Sequence, residues 1–231
     1  MAPLWCVVPA AGRGMRVGGA TPKQYMDLAG APMIERTLDR LAAHPLIAGL
    51  VVVLAAGDVR WIDGFARTWS KPLLVATGGS ERCDSVLAGL RALPVDSVRP
   101  DDFVLVHDAA RPCVRHEDIT RLIERCRGTE GGLLGAPLRD TLKRADEAGR
   151  SALTEPRDLR WRAFTPQMFR RGQLADALQA AIGAGVAVSD EAMAMELAGH
   201  APLLVEGAED NIKVTTAADF ALAEFLLERT A

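Results

Sequence analysis

Four short apolar runs, separated by stretches with helical periodicity, constrain this chain most. Leu4–Pro9, Leu50–Ala55, Leu73–Ala76 and Phe103–His107 carry few polar side chains on either face. A strand apolar on both faces has to be covered on both sides, as in a parallel sheet flanked by helices. Between the runs, Ile34, Leu38 and Leu41 recur at helical spacing, as do Val86, Leu87, Leu90 and Leu93, and Ile119, Leu122, Ile123 and Cys126. The alternation predicts an α/β fold with a doubly wound, mostly parallel, Rossmann-like sheet. Such sheets bind ligands at the carboxyl ends of their strands.

Composition narrows the class. At 231 residues, 49% hydrophobic and 25% charged, the chain is of ordinary globular make-up and fits one domain over 1–231. A net charge of −3 gives no general attraction for nucleic acid, so an anionic ligand has to be held by a local basic cluster. No run approaches the ~20 apolar residues of a membrane helix, and the N-terminus lacks the basic region of a signal peptide. The four cysteines, Cys6, Cys83, Cys113 and Cys126, form no C-x-x-C pair, which points to buried thiols in a reducing, cytoplasmic setting.

The pattern breaks once. Leu138–Arg162 is polar and charged, with Asp146, Glu147 and Gly149 placed to turn between LKRA and RSALTE, and this predicts a protruding β-hairpin. It is either a surface loop or an arm that reaches a partner. Helical periodicity returns at Met168–Ala181, Asp190–Leu197 and Ala217–Glu228.

The first run ends in Pro9-Ala10-Ala11-Gly12-Arg13-Gly14-Met15-Arg16, followed by Thr21-Pro22-Lys23-Gln24-Tyr25. Small residues let backbone N–H groups close on an anion, and Arg16 and Lys23 add fixed positive charge. Two familiar glycine motifs do not fit: no Lys follows as in a Walker loop, and Val17 sits where the dinucleotide fingerprint needs Gly or Ala.

PAAGxGxR with PKQY resembles the nucleotidyltransferases that load sugar or polyol phosphates onto a nucleotide. The later segments TGGSERCDSVLAGL, VHDAARP, PLRDTLKR, TPQ, SDEA and EGAEDNIKVTTAAD narrow the likeness. In order and at compatible spacing over essentially the whole chain, they resemble the 2-C-methyl-D-erythritol 4-phosphate cytidylyltransferases of non-mevalonate isoprenoid synthesis. Met15 and Ser189 stand where the family more often has a polar or basic residue and a Thr. The chain ends soon after Ala217–Glu228, so no additional cyclase domain is expected.

The resemblance implies that CTP and methylerythritol phosphate react to give the cytidylyl diphosphate and pyrophosphate. Its implied catalytic residues are Arg16, Lys23, Arg157 and Lys213. Nucleotide contacts fall to Pro9, Ala10, Ala11, Gly12, Gly14, Lys23, Gly78, Gly79, Ser85, Asp108 and Ala109. Acceptor contacts fall to Asp108, Thr141, Arg157, Thr165, Ser189 and Lys213. Asp108 ends a strand beside a triphosphate, which suits a Mg²⁺-linked role, direct or through water, or else a cap on the following turn. Thr77–Ser80 also reads as a turn with Ser80 capping the next helix. Arg111 is expected to brace its loop through backbone carbonyls, and His107 to be structural. In the family the 138–162 segment is an arm that crosses to the other subunit of a homodimer. Two other readings are a ribitol-5-phosphate cytidylyltransferase, which shares the nucleotide loop, and an inert nucleotide binder, which should have lost one of Arg16, Lys23, Asp108 or Lys213.

Overall fold

The computed structural model describes residues 4–12, 21–64 and 68–229, with the backbone alone for 62–64. In chain order the elements are β1 (Leu4–Pro9), a 3-10 turn (Lys23–Tyr25), the short pair β2 (Asp27–Leu28) and β3 (Ala31–Pro32), α1 (Met33–Ala42), β4 (Ile47–Leu54), α2 (Val59–Gly64) and β5 (Leu73–Thr77). Then come α3 (Arg82–Arg91), β6 (Phe103–Val106), α4 (His116–Cys126), β7 (Gly132–Pro137), β8 (Leu142–Ala145), β9 (Ser151–Glu155) and β10 (Trp161–Arg170). The chain closes with α5 (Arg171–Gly183), α6 (Glu191–Leu197), β11 (Leu203–Glu206) and α7 (Ala217–Glu228).

Seven strands form one sheet in the order β11-β7-β10-β6-β1-β4-β5. β1 pairs in parallel with β4 and β6, and β4 with β5, whereas β10 runs antiparallel to both β6 and β7. β11 is again parallel to β7. Strand parity divides the core. Cys6 and Val8 of β1, Leu50 and Val52 of β4 and Leu105 of β6 face α1 and α4 through Ile34, Leu38, Ile119 and Leu122. Their neighbours Val7, Val51, Val53, Val104 and Val106 face α3, α5 and α6 through Val86, Leu90, Leu174, Leu178 and Met195. Both faces of the central strands are therefore buried, as the apolar runs require. The expected doubly wound α/β fold is present.

Two expectations change. The Met168–Ala181 pattern is not helical throughout: β10 continues to Arg170 and α5 starts at Arg171. Met168 and Phe169 are both fully buried but belong to opposite faces of the sheet, the alternation of a strand rather than the stripe of a helix. The Leu73–Ala76 run is an edge strand with Val75 52% exposed, so it is covered less than an interior strand.

The polar excursion is a hairpin. β8 and β9 pair antiparallel in a sheet of their own, and the Asp146 carboxylate accepts hydrogen bonds from the Ala148 and Arg150 amides to shape the turn. Its side chains are almost all exposed. Among the described residues no helix is long and apolar enough to cross a membrane.

Candidate active site

A cavity of about 270 Å³ opens where β1, β5 and β6 end at their carboxyl edges. Pro9, Ala10, Ala11 and Gly12 line it from the end of β1, Gly79 from the β5–α3 turn, Ser85 from the first turn of α3, and Asp108 and Ala109 from the end of β6. Lys23 and Lys213 complete the charged side. Segments far apart in the chain thus converge at the strand ends, where this architecture places ligands.

The apolar-walled end is built by close backbone approach. The Ala10 amide donates to Val53 O at 2.7 Å, and its carbonyl accepts from Gln24 Nε2 at 3.0 Å. Gly78 N donates to Leu54 O at 2.8 Å. A Cβ on Gly78 would lie 2.6 Å from Ser85 Oγ and 2.7 Å from Ala11 Cβ, and one on Gly79 would lie 2.4 Å from Asp84 Cβ. Both positions therefore require glycine. Gly78 sits behind the lining, packed against Ser85 and Ala11. Glu81 rather than Ser80 is the N-cap of α3: Asp84 accepts from the Glu81 amide at 3.0 Å, and Ser80 Oγ donates to the same carboxylate oxygen at 3.0 Å.

The charged end is an ion network. Asp108 Oδ1 accepts from Arg82 Nε at 3.1 Å and Nη2 at 3.0 Å, while Asp108 Oδ2 accepts from Lys213 Nζ at 2.8 Å. The Arg111 guanidinium stands 3.8 Å from Oδ2. Burial pushes the Asp108 carboxyl up, but Arg82, Lys213 and Arg111 together outweigh it and hold the group well below the usual carboxylate range. Arg82 continues to Glu191, donating from Nη1 to Oε1 at 2.5 Å and from Nη2 to Oε2 at 3.1 Å. Glu191 is fully buried, and burial pushes its carboxyl up against the pull of Arg82. Three cations against two carboxylates leave this network one positive charge in excess. Lys23 Nζ donates to Val214 O at 2.9 Å, next to Lys213.

His107 and Arg111 hold the loop after β6. Asp108 N donates to Thr165 Oγ1 at 3.0 Å, which in turn pairs with His107 Nδ1 at 3.0 Å, and His107 Nε2 meets Arg111 O at 2.9 Å. His107 is wholly buried, and that burial lowers its pKa to about 4. Arg111 donates to Asn211 O at 2.6 Å and Ala163 O at 3.3 Å, the bracing expected of it.

The remaining expected residues lie elsewhere. Thr165, expected among the acceptor contacts, is buried beneath Asp108 and supports it from behind. Ser189 is exposed, with its N–H and Oγ–H 3.5 and 3.6 Å from Met193 Sδ. Thr141 and Arg157 are exposed on the arm, where Arg157 donates to Arg139 O, and neither lines the cavity of its own chain. Arg16 and Gly14 lie outside the described residues. Lys213 lies in an irregular segment, half-exposed beside the buried Val214. Sequence reasoning missed Arg82, Glu191 and Gln24. All three sit inside segments read as motifs, but only long-range pairing distinguishes them from surface residues.

Asp108, expected to take a Mg²⁺-linked role directly or through water, is held by cations in this arrangement. Both of its oxygens are engaged by cations, and among the described residues no group of three or more His, Cys, Asp or Glu could hold a metal.

The 2-C-methyl-D-erythritol 4-phosphate cytidylyltransferase family model matches residues 4–229. The enzyme of that name from Xanthomonas campestris pv. campestris strain B100 is 58% identical over 225 residues, covering 97% of this chain and 84% of the relative. The Xanthomonas oryzae pv. oryzae protein of the same name is 57% identical over 227 residues, covering 98% and 83%. Among solved structures, the Francisella tularensis 2-C-methyl-D-erythritol 4-phosphate cytidylyltransferase superposes with a TM-score of 0.84 at 33% identity, covering 97% of this chain and 100% of its own. The Thermus thermophilus enzyme gives 0.79 at 29% identity, covering 98% and 99%. With motifs, fold and site in agreement, the chain belongs to the 2-C-methyl-D-erythritol 4-phosphate cytidylyltransferase family.

Proposed function

We propose that the chain transfers CMP from CTP to 2-C-methyl-D-erythritol 4-phosphate and releases pyrophosphate, with the cavity at the strand ends as its active site. One observation carries the site assignment: Lys23 and Lys213, 190 positions apart, line one cavity together with the glycine-walled turn at Gly79. An oxygen of the acceptor phosphate attacks the α-phosphorus, a new P–O bond forms, and the bond to the β-phosphate breaks in line.

The attacking monoester has a second pKa of about 6, so at neutral pH it is largely dianionic. It needs no general base, which agrees with a His107 occupied in buried structural bonds. The barrier is bringing an anion onto a polyanion, so catalysis rests on positioning and on fixed cations. We assign Lys23 and Arg16 to the α-phosphate and leaving pyrophosphate, and Lys213 to the acceptor phosphate. Ala10, Ala11, Gly79 and Ser85 form a wall close enough to suit a pyrimidine better than a purine. A divalent cation, Mg²⁺ by this reading, would arrive on the triphosphate and neutralise part of its charge, with Asp108 reaching it only through water. The four free cysteines, all buried, fit a reducing cytoplasm.

Thr141 and Arg157 take their place in the reading through a homodimer. Both sit on the 138–162 arm, away from the cavity of their own chain, so each would complete the acceptor side of a partner's site. The exposed Leu142, Leu153 and Leu159 of that arm support an apolar contact with a second copy.

The direct test is pyrophosphate release with CTP, Mg²⁺ and either methylerythritol 4-phosphate, ribitol 5-phosphate or no acceptor. Release with methylerythritol phosphate alone is expected. Release with ribitol phosphate alone would keep the chemistry and change the substrate. CTP binding without release would make the chain an inert binder.

A further inference from the structure

The segments TPQ and SDEA, the SER of the β5–α3 turn and the HDAARP loop are far apart in sequence, yet they form one chain of contacts. Gln167 on β10 grips the start of α6 with both ends of its amide: Nε2 donates to Asp190 Oδ2 at 3.0 Å, and Oε1 accepts from Ala192 N at 2.8 Å. Between those two anchors stands Glu191, wholly buried. Both of its oxygens receive Arg82, at 2.5 and 3.1 Å. Arg82 spends two further N–H groups on one oxygen of Asp108, and the other oxygen holds Lys213 Nζ at 2.8 Å.

Arg82 lines the cavity, but four of its five N–H groups are committed to carboxylates, so it has little left for a phosphate. Its geometry is that of a clamp. Lys213 is a flexible side chain, 43% exposed, and Asp108 is the carboxylate that orients it. A carboxylate fixed at one oxygen by a planar fork presents its other oxygen in one direction. Without the fork, Asp108 can turn toward Lys213 and Arg111, and the ammonium moves with it.

We propose that Glu191 is a positioning residue which, by clamping Arg82, fixes the Asp108 carboxylate and so aims Lys213 into the cavity. This rests on the reading that Lys213 meets the acceptor phosphate. It explains why a carboxylate with no access to substrate is buried beside the site.

The test uses the full chain with Glu191→Gln, which keeps shape and loses charge. Turnover of methylerythritol phosphate should fall about 10- to 100-fold, the scale of a misaimed group, while the Kd for CTP stays within about threefold. In a Lys213→Ala background Glu191→Gln should add no further loss, because its effect runs through that ammonium. Equal loss of CTP affinity, or independent multiplication of the two losses, would overturn the proposal. A second readout needs no turnover. The chain has four lysines, Lys23, Lys71, Lys143 and Lys213, so reductive ¹³C-methylation gives few resonances, and that of Lys213 is assigned by its loss in Lys213→Arg. Glu191→Gln should shift the Lys213 resonance and leave Lys143 unmoved. An unshifted Lys213 would overturn the clamp, whereas an inactive wild-type chain with a shifted Lys213 would overturn the functional reading alone. If Glu191→Gln does not fold, Arg82→Lys, which keeps the charge but not the fork, should give the same pattern. Failure of both variants to fold would mean that the pair serves the fold and not the aim of Lys213.

Discussion

Lys213 and Asp108 meet across 105 positions of sequence, with the ammonium 2.8 Å from one oxygen of a carboxylate that three cations surround. The pair is asymmetric. Asp108 is buried, whereas Lys213 is half-exposed and turns its charge toward the cavity. The acid therefore serves as the anchor of the base, and removing the anchor leaves Arg82, Arg111 and Lys213 mutually repelling.

Asp108→Asn should accordingly lower stability by about 3–5 kcal/mol, the cost of leaving buried partners of an ion network uncompensated. Its pKa is depressed in the folded state, so the contribution is fully present above the unfolded value near 3.8 and is lost only as pH falls well below it. Urea unfolding from pH 5 to 8 should show a constant difference between variant and wild type. A difference that vanishes at pH 5 would contradict the assignment.

His107 gives the opposite check within the accessible range. Burial depresses its pKa from 6.5 to about 4, so the folded state binds the proton less readily than the unfolded one. The stabilisation is complete above pH 6.5 and is lost as pH falls from there toward 4, by on the order of 3 kcal/mol. His107→Gln should flatten that slope in unfolding experiments while lowering stability at pH 7. A wild-type curve flat between pH 6.5 and 4 would mean that His107 is not buried neutral.

Much of this architecture is legible before any coordinates. β1, β4 and β6 declare themselves because both faces are apolar, and α7 starts and stops where its periodicity does. β10 does not. Its antiparallel course between β6 and β7 depends on pairing with strands far away in sequence, and its last residues mimic the start of α5. The site divides in the same way. Lys23, Asp108 and Lys213 stand in segments whose likeness to a family points to them. Arg82 and Glu191 acquire meaning only from a contact across 109 positions, which no local pattern carries. Thr165 looks like an acceptor contact from its motif, and only the fold shows its hydroxyl standing between the Asp108 amide and His107.

Gly78→Ala and Gly79→Ala should separate the nucleotide end from the charged end. The new methyl groups meet Ser85 Oγ, Ala11 Cβ and Asp84 Cβ at distances no unshifted structure tolerates. Overpacking of this kind costs about 1–3 kcal/mol, and here the strain falls on the wall proposed to face the base. CTP affinity measured by calorimetry should drop at least tenfold, the equivalent of about 1.4 kcal/mol. Retained affinity would place the base elsewhere.

Lys23→Met should act on the rate above all. A donor aimed at charge that develops in the transition state is worth about 3–4 kcal/mol, or some 10²–10³ in kcat. Lys23 also donates to Val214 O, so a modest rise in KM through the Lys213 segment accompanies the loss. The separation is read from steady-state kinetics against both substrates. A variant that loses only KM would show that Lys23 grips the ground state and not the leaving pyrophosphate.

Leu159 tests the arm. It is 98% exposed and holds a left-handed backbone, φ 62°, which costs a leucine about 1–2 kcal/mol over a residue suited to it. An apolar side chain kept in a strained, solvated position has nothing to gain within its own chain, and a second copy would supply what covers it. Leu159→Asn tolerates the same φ, so the isolated subunit should be no less stable than wild type, or slightly more. Its dimer should dissociate at higher concentration in sedimentation or light scattering, and turnover should fall with the dimer fraction if Thr141 and Arg157 serve the partner's site. A variant that dissociates yet turns over at the wild-type rate as a monomer would remove the shared site and leave the arm a purely structural contact.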